Sequence, residues 1–248
     1  MHKKRADKYE LDDIIENGYY EYNITKKISK KKKSNKNFYL SEPRNTNQRK
    51  YLQYINDNSI KLIIATGPAG TGKTMFPCEI AIQKFMNNDI DKIIITRPVV
   101  TADEDIGFLP GDMEDKMEPY MRPLYDIFYK FMHPNNLINY IKEKKIEIVP
   151  LAFMRGRTFK NCWIIADEMQ NATCEQTMML LTRIGENSKL ILTGDPQQHD
   201  RKEKESGLTD FKKKLINYKG NSIKTVEFIR NDIQREPIVK EILDLYNL

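Results

Sequence analysis

Eight residues of this sequence, from Gly67 to Thr74, read GPAGTGKT and have the residue types and spacing of a phosphate-binding loop. Glycine lets the backbone take positive φ and turn successive N–H groups toward an anion. The ammonium of Lys73 would reach the β- and γ-phosphates, and the hydroxyl of Thr74 would coordinate Mg2+. The predicted nucleotide-binding residues of the loop are Gly67, Pro68, Ala69, Gly70, Thr71, Gly72, Lys73 and Thr74.

Two adjacent carboxylates follow an apolar run later in the chain. Residues 162–166 read CWIIA, which predicts a buried strand, and Asp167 and Glu168 come directly after it. At the carboxyl end of a strand both side chains can face the crevice that holds the phosphates. We expect Asp167 to hold Mg2+, directly or through bound water, and Glu168 to act as the base toward the attacking water. The alternative is a solvated strand end.

A polar tip also follows the strand predicted at 189–193. It reads Gly194-Asp195-Pro196-Gln197-Gln198. An amide placed beside the Asp-Glu strand could hydrogen-bond the γ-phosphate or the attacking water and move when either leaves. We assign this catalytic role to Gln198, and the alternative is an ordinary Gly-Asp-Pro turn.

The elements that must position these side chains alternate along the chain. The apolar runs predict strands at 61–66, 92–96, 146–149, 162–166 and 189–193. Helical patterns fall at 47–57, 73–87, 119–132, 136–144 and 174–184, and a helix–strand–helix unit runs from about 207 to 247. This alternation indicates an α/β fold with a mostly parallel sheet and helices on both faces. The long polar connection over 97–118 indicates a functional segment.

Charge separates the chain into two parts. Residues 1–50 hold 14 Lys and Arg against 7 Asp and Glu, which leaves 27 against 28 for residues 51–248 of the 41 and 35 in the whole chain. We therefore expect a flexible basic arm over residues 1–45 and a folded domain over 46–248. The arm either adds sequence-independent affinity for nucleic acid or is a solvated tail. No apolar stretch predicts a membrane span, and we expect a cytoplasmic protein.

Several further blocks of sequence resemble the PhoH family of P-loop ATPases. They are ITRPVV (95–100), GFLPGDMEDKMEPYMRPLYD (107–126), RGRTF (155–159), DEMQNAT (167–173) and LTGDPQQHD (192–200). The resemblance covers about residues 46–246. It implies a RecA-like P-loop NTPase core related to the first ATPase domain of superfamily 1 helicases, with ATP and Mg2+ as cofactors, possible action on RNA, and homo-oligomers that include hexameric rings.

The resemblance also implies roles for five side chains outside the loop. Gln48 matches a glutamine that recognises adenine, with a chance surface position as the alternative. Arg97 lies in a segment that touches the nucleic-acid backbone in helicase-like relatives. Arg155 and Arg157 could hold RNA or reach the γ-phosphate of a neighbouring subunit. Arg235 is the preferred arginine finger, with a structural ion pair as the alternative.

These observations predict an Mg2+-dependent ATPase that couples hydrolysis to binding or remodelling RNA or single-stranded nucleic acid. The alternative is a nucleotide-gated binding module in which hydrolysis is slow or incidental. A small-molecule kinase is less favoured, because the sequence has no arginine-rich lid insertion and has the Gly-Asp-Pro-Gln-Gln strand end.

Overall fold

Strands and helices alternate in the computed structural model, which describes residues 39–98, 122–198 and 206–245. The strands are β1 (Leu62–Thr66), β2 (Lys92–Arg97), β3 (Ile146–Pro150), β4 (Cys162–Ala166), β5 (Lys189–Gly194) and β6 (Ile223–Glu227). The helices are α1 (Thr46–Asn56), α2 (Met75–Met86), α3 (122–129), α4 (Pro134–Lys142), α5 (Cys174–Leu181), α6 (Gly207–Lys214) and α7 (Pro237–Leu245). Short 3-10 turns cover Leu151–Met154, Met169–Asn171 and Arg230–Asp232.

All six strands form one parallel sheet in the order β3-β2-β4-β5-β1-β6. Because the strands are parallel, their carboxyl ends lie along one edge, which we call the carboxyl edge. The loop at 67–74 follows β1 and the Asp-Glu pair follows β4, and β5 lies between these two strands. All the predicted strand-end residues therefore reach the same edge of the sheet.

Each face of the sheet packs against its own layer of helices. Because side chains alternate along a strand, Ile63 and Ala65 of β1 join the core formed with α1, α2, α3 and α4. Leu62 and Ile64 of the same strand join the opposite core, to which α5 contributes Leu180 and α6 contributes Leu208. The predicted α/β class, the parallel sheet and the helices on both faces are confirmed.

Strand bounds agree with the sequence more closely than helix bounds do. Each predicted strand matches an observed one to within one residue at either end, whereas α2 begins at Met75 and α5 ends at Leu181. Residues 1–38 of the predicted arm and residues 99–118 of the predicted connection lie outside the described residues. Residue 41 lies against the domain, because its backbone N–H and hydroxyl donate to the buried carboxylate of Glu79, each at 2.8 Å. Among the described helices, none is long and apolar enough to cross a membrane.

Candidate nucleotide-binding site

The loop at 67–74 needs glycine where its backbone passes close to other chain segments. Gly67 has φ of +133°, and a Cβ added there would lie 2.2 Å from the carbonyl oxygen of Phe228. The backbone N–H of Gly67 donates to the carbonyl of Gly194 at 3.2 Å, and that of Phe228 donates to Thr66 at 2.7 Å. The start of the loop is therefore fixed between the ends of β5 and β6.

Lys73 is nearly buried and lies over its own loop. Its Nζ donates to the carbonyl of Pro68 at 2.7 Å, and the residue is 9% exposed. Burial lowers the pKa of the Lys73 ammonium, while the carboxylates of Asp195 and Asp167 partly oppose that shift. A bound phosphate would add negative charge beside this buried ammonium and would stabilise its charged form.

Asp167 is the point at which the loop meets the carboxyl end of β4. Its Oδ1 accepts hydrogen bonds from the hydroxyls of Thr74, at 2.8 Å, and Thr193, at 2.5 Å. Its Oδ2 accepts from the guanidinium of Arg97 at 2.6 Å. Asp167 is 4% exposed. The three hydrogen bonds from Thr74, Thr193 and Arg97 therefore fix the orientation of a buried carboxylate beside the start of α2.

The oxygen atoms of Thr74 and Asp167 fit a magnesium site. Mg2+ binds few protein ligands, usually one or two carboxylates, and takes its other ligands from water and phosphate. Within residues 39–98, 122–198 and 206–245, no group of three or more His, Cys, Asp or Glu could hold a metal ion.

Glu168 adopts a backbone conformation that is uncommon for a residue with a side chain. Its φ of 55° and ψ of 34° lie in the left-handed region, which costs on the order of 1 kcal/mol or more. Its Oε2 accepts from the amide of Gln170 at 2.6 Å, and the Oε1 of Gln170 accepts from the backbone of Asp195 at 3.0 Å. One buried amide thus connects the Asp-Glu pair to the end of β5, whereas Gln198 is exposed there.

Helix α1 contacts the loop from the other side through two buried side chains. The amide of Gln48 donates to the carbonyl of Thr71 at 3.1 Å, and its Oε1 accepts from the backbone of Arg44 at 2.7 Å. One turn later, the hydroxyl of Tyr51 donates to the carbonyl of Lys73 at 2.9 Å. Gln48 is 3% exposed, which excludes the surface position that the sequence had left open.

Arg235 lies over the loop of the same chain. The backbone N–H of Gln234 donates to the carbonyl of Gly70 at 2.9 Å. A Cβ added at Gly70 would lie 2.6 Å from the Nε of Arg235. The guanidinium is also close enough to Lys73 to lower the pKa of that ammonium.

Two of the predicted arginines lie away from the loop, at the β3 end of the sheet. The guanidinium of Arg157 makes an ion pair with Glu147 at 2.7 Å, and Lys92 pairs with the same carboxylate at 2.5 Å. Arg155 is exposed. The structure therefore groups Arg97 and Arg235 with the nucleotide site and separates Arg155 and Arg157 from it.

Sequence reasoning did not assign three of the residues that build this site. Thr193 orients Asp167, Gln170 binds Glu168, and Tyr51 supports Lys73. Tyr51 could have been found from its position one helical turn after Gln48, and Thr193 from its place as the last side chain of a buried strand. Gln170 carries no such signal, because its contact depends on the turn after β4.

A phosphate loop between a buried parallel strand and a helix, facing Asp-Glu at the end of a second strand, defines the class of P-loop NTPases with a RecA-like core. The chain belongs to the PhoH-like protein family, whose model matches residues 41–247. Curated relatives include PhoH-like proteins of Synechocystis, 41% identical over 80% of this chain and 60% of theirs, and of Bacillus subtilis, 42% identical over 81% and 62%. Protein PhoH of Escherichia coli is 41% identical over 82% and 57%.

The chain spans about 60% of the length of these curated relatives. Among solved structures, it is similar to the SWI2/SNF2 ATPase core of Sulfolobus solfataricus in complex with dsDNA, with 14% identity, a TM-score of 0.43 and coverage of 78% of this chain and 47% of that one. It is also similar to the Pif1 helicase of Candida albicans, with 17% identity, a TM-score of 0.36 and coverage of 82% and 43%.

Proposed function

We propose that this chain is an Mg2+-dependent ATPase that couples hydrolysis to binding or remodelling RNA or another single-stranded nucleic acid. The observation that carries the proposal is the 2.8 Å hydrogen bond between Thr74 and Asp167. It brings the phosphate loop after β1 and the Asp-Glu pair after β4 into one crevice, although another strand separates β1 from β4. Nucleotide-hydrolysing sites need this pairing of a phosphate cradle with carboxylates.

Some residues of the crevice bind the nucleotide, and others take part in hydrolysis. Lys73 and the loop N–H groups bind the phosphates. Gln48 recognises adenine at the start of α1, which requires its amide to exchange its contacts with Thr71 and Arg44. Thr74 and Asp167 would hold Mg2+, which when bound would neutralise charge that develops on the phosphates. Glu168 takes the proton of the attacking water. Arg235 stabilises the charge of the transferring phosphoryl group from within the same chain, and Gln198 lies in the turn that follows β5.

A nucleotide-gated binding module is the second candidate, and the contacts of Glu168 favour it. Its carboxylate is engaged by Gln170 at 2.6 Å, so the base must change partners before it can act on water. If that exchange is slow, ATP binding would regulate nucleic-acid binding with little turnover. The two functions predict different responses to nucleic acid, which makes them separable.

ATP turnover by the full chain, measured with and without single-stranded RNA, separates the two candidates. We expect RNA to stimulate turnover, Lys73→Ala to abolish tight ATP binding, and Glu168→Gln to keep binding but lose turnover by about 100-fold or more. Ile216→Ala, an exposed apolar substitution after α6 at the opposite edge of the sheet, is the matched control.

The results of these measurements either distinguish the two candidate functions or contradict the assigned nucleotide site. Normal turnover in both variants would overturn the assignment of Lys73 and Glu168. Turnover without RNA stimulation, together with nucleotide-dependent RNA binding that Glu168→Gln leaves unchanged, would favour the gated module over the coupled ATPase.

A further inference from the structure

The 3-10 turn that follows β3 exposes a phenylalanine at the carboxyl edge. Phe153 is 51% exposed, whereas its neighbours Leu151 and Met154 are buried at 1% and 0%. These two side chains join the core on the α5 and α6 face of the sheet. Apolar packing of Leu151 and Met154 therefore fixes the turn, and the fixed turn leaves the ring of Phe153 on the surface.

An exposed cation follows this ring closely in sequence. Arg155 is two residues after Phe153 and is exposed, and Gly156 has φ of +76° with open space where a Cβ would lie. The carboxylate of Glu147, toward the amino end of β3, is compensated, because Lys92 and Arg157 both pair with it. Those pairs lower the pKa of Glu147 against the opposing effect of burial, so the carboxylate stays charged and paired.

Arg157 is fixed away from this ring, toward the amino end of β3. Its guanidinium binds Glu147 and lies 4.6 Å from the centre of the Phe159 ring. An arginine held by a carboxylate and an aromatic face has little freedom to bind a ligand. Arg157 is therefore committed to these contacts, and Phe153 and Arg155 are the exposed side chains that could contact a ligand.

We propose that Phe153 is a stacking platform for one base of a single-stranded nucleic acid, with Arg155 binding the adjoining phosphate. The inference rests on the proposed function, and it names where the nucleic acid binds. An exposed aromatic ring followed two residues later by an exposed arginine fits a single-stranded nucleic acid, because every base has a face that can stack and every nucleotide carries a negative charge.

The position of this surface connects it with the nucleotide site. Pro150, the last residue of β3, lies in register with Arg97 of β2, and the 3-10 turn follows immediately. Arg97 in turn binds Asp167 at 2.6 Å. A nucleic acid bound at Phe153 would therefore lie beside the end of β3. The neighbouring strand β2 ends at Arg97, which contacts Asp167.

The test compares two ligands of equal length, a labelled oligouridylate and an abasic oligomer that has the phosphates without the bases. Both are titrated into the full chain with Mg2+ and a non-hydrolysable ATP analogue. We expect Phe153→Ala to weaken oligouridylate binding between about fivefold and about a hundredfold and to leave abasic binding nearly unchanged. Phe153→Tyr should restore binding, and Arg155→Ala should reduce the salt slope of both ligands by about 1.

A direct signal of stacking comes from Phe153→Trp. The chain has one tryptophan, Trp163, which is buried at 4% exposure, so the new indole would be the exposed one. Oligouridylate should quench its fluorescence and the abasic oligomer should not. Ile216→Ala, 79% exposed after α6, controls for the loss of apolar surface in itself.

Each result supports or overturns the inference. If the wild type binds no single-stranded nucleic acid, the proposed function and this inference fail together. If the wild type binds while Phe153→Ala binds equally well and the indole is not quenched, the stacking site alone is wrong. If Phe153→Ala changes only the association of the chain with itself, the surface is a protein interface.

Discussion

The two ends of the carboxyl edge are built in opposite ways. At the β1 end, the loop at 67–74 is held by β5, β6, α1 and the segment before α7, and Lys73 and Asp167 are almost fully enclosed. At the β3 end, Phe153 and Arg155 are exposed above a turn that is anchored from below. Both ends belong to one sheet, so their backbones share one rigid frame.

This difference suits the two ends to the two ligands that we propose for them. A small polyanion such as a triphosphate needs an enclosed cradle with oriented dipoles, because those dipoles are worth more where water is excluded. A long, flexible polyanion gains affinity from exposed cations and stacking, and an enclosed site could not admit it. Three predictions test the comparison.

The largest effect concerns Arg235, which distinguishes a site complete in one chain from a site shared between subunits. Arg235→Ala should reduce ATP turnover by about 1,000-fold or more, since an arginine finger contributes that much to phosphoryl transfer. Because Arg235 lies against Gly70 of its own chain, mixing Arg235→Ala with Lys73→Ala chains should restore no turnover. Recovery of turnover in the mixture would place the finger in a neighbouring subunit. Arg49→Ala, an exposed arginine of α1, is the control.

A matched pair of glycines compares the packing of the two ends. Gly67 and Gly156 both have positive φ, but a Cβ would lie 2.2 Å from a backbone oxygen at Gly67 and in open space at Gly156. Gly67→Ala should lower the free energy of unfolding by about 3 kcal/mol. Gly156→Ala should lower it by about 1 kcal/mol, the cost of the conformation alone. Urea unfolding of both variants measures the difference, and equal losses would contradict it.

The smallest effect concerns Lys189, which supports the enclosed end from beneath. Its Nζ donates to the carbonyls of Ile55 and Asp57 at the end of α1, the helix that carries Gln48. Burial, with the charge of Lys84 second, lowers the pKa of Lys189 to about 8 in the folded chain. The unfolded chain then binds more protons above that pH, so folding is favoured as pH rises.

We expect the free energy of unfolding of the wild type to rise relative to Lys189→Met by about 1 kcal/mol per pH unit between about pH 8 and 10. Urea unfolding of both chains at several pH values across that window is the measurement. A difference that stays constant with pH would show that Lys189 keeps an ordinary pKa.

The fold and the centre of the site were predictable because they depend on local sequence. Buried parallel strands are continuous apolar runs, and the glycines and Lys73 of the loop must be adjacent in sequence to surround one anion. The contact of Gln170 was not predictable, because it depends on how the turn after β4 faces the end of β5. The exposure of Phe153 also had no signal, since its neighbours in sequence are equally apolar.

The sequence by itself determined the strands, the helices and the identity of the phosphate loop, since periodicity and loop chemistry are properties of adjacent residues. Only the tertiary structure decided which partner each arginine contacts. Arg97 and Arg235 contact the nucleotide end, Arg157 is committed to Glu147, and Arg155 is exposed. The physical reason is that a long charged side chain takes its role from its nearest partner in space, which residues far apart in the chain provide.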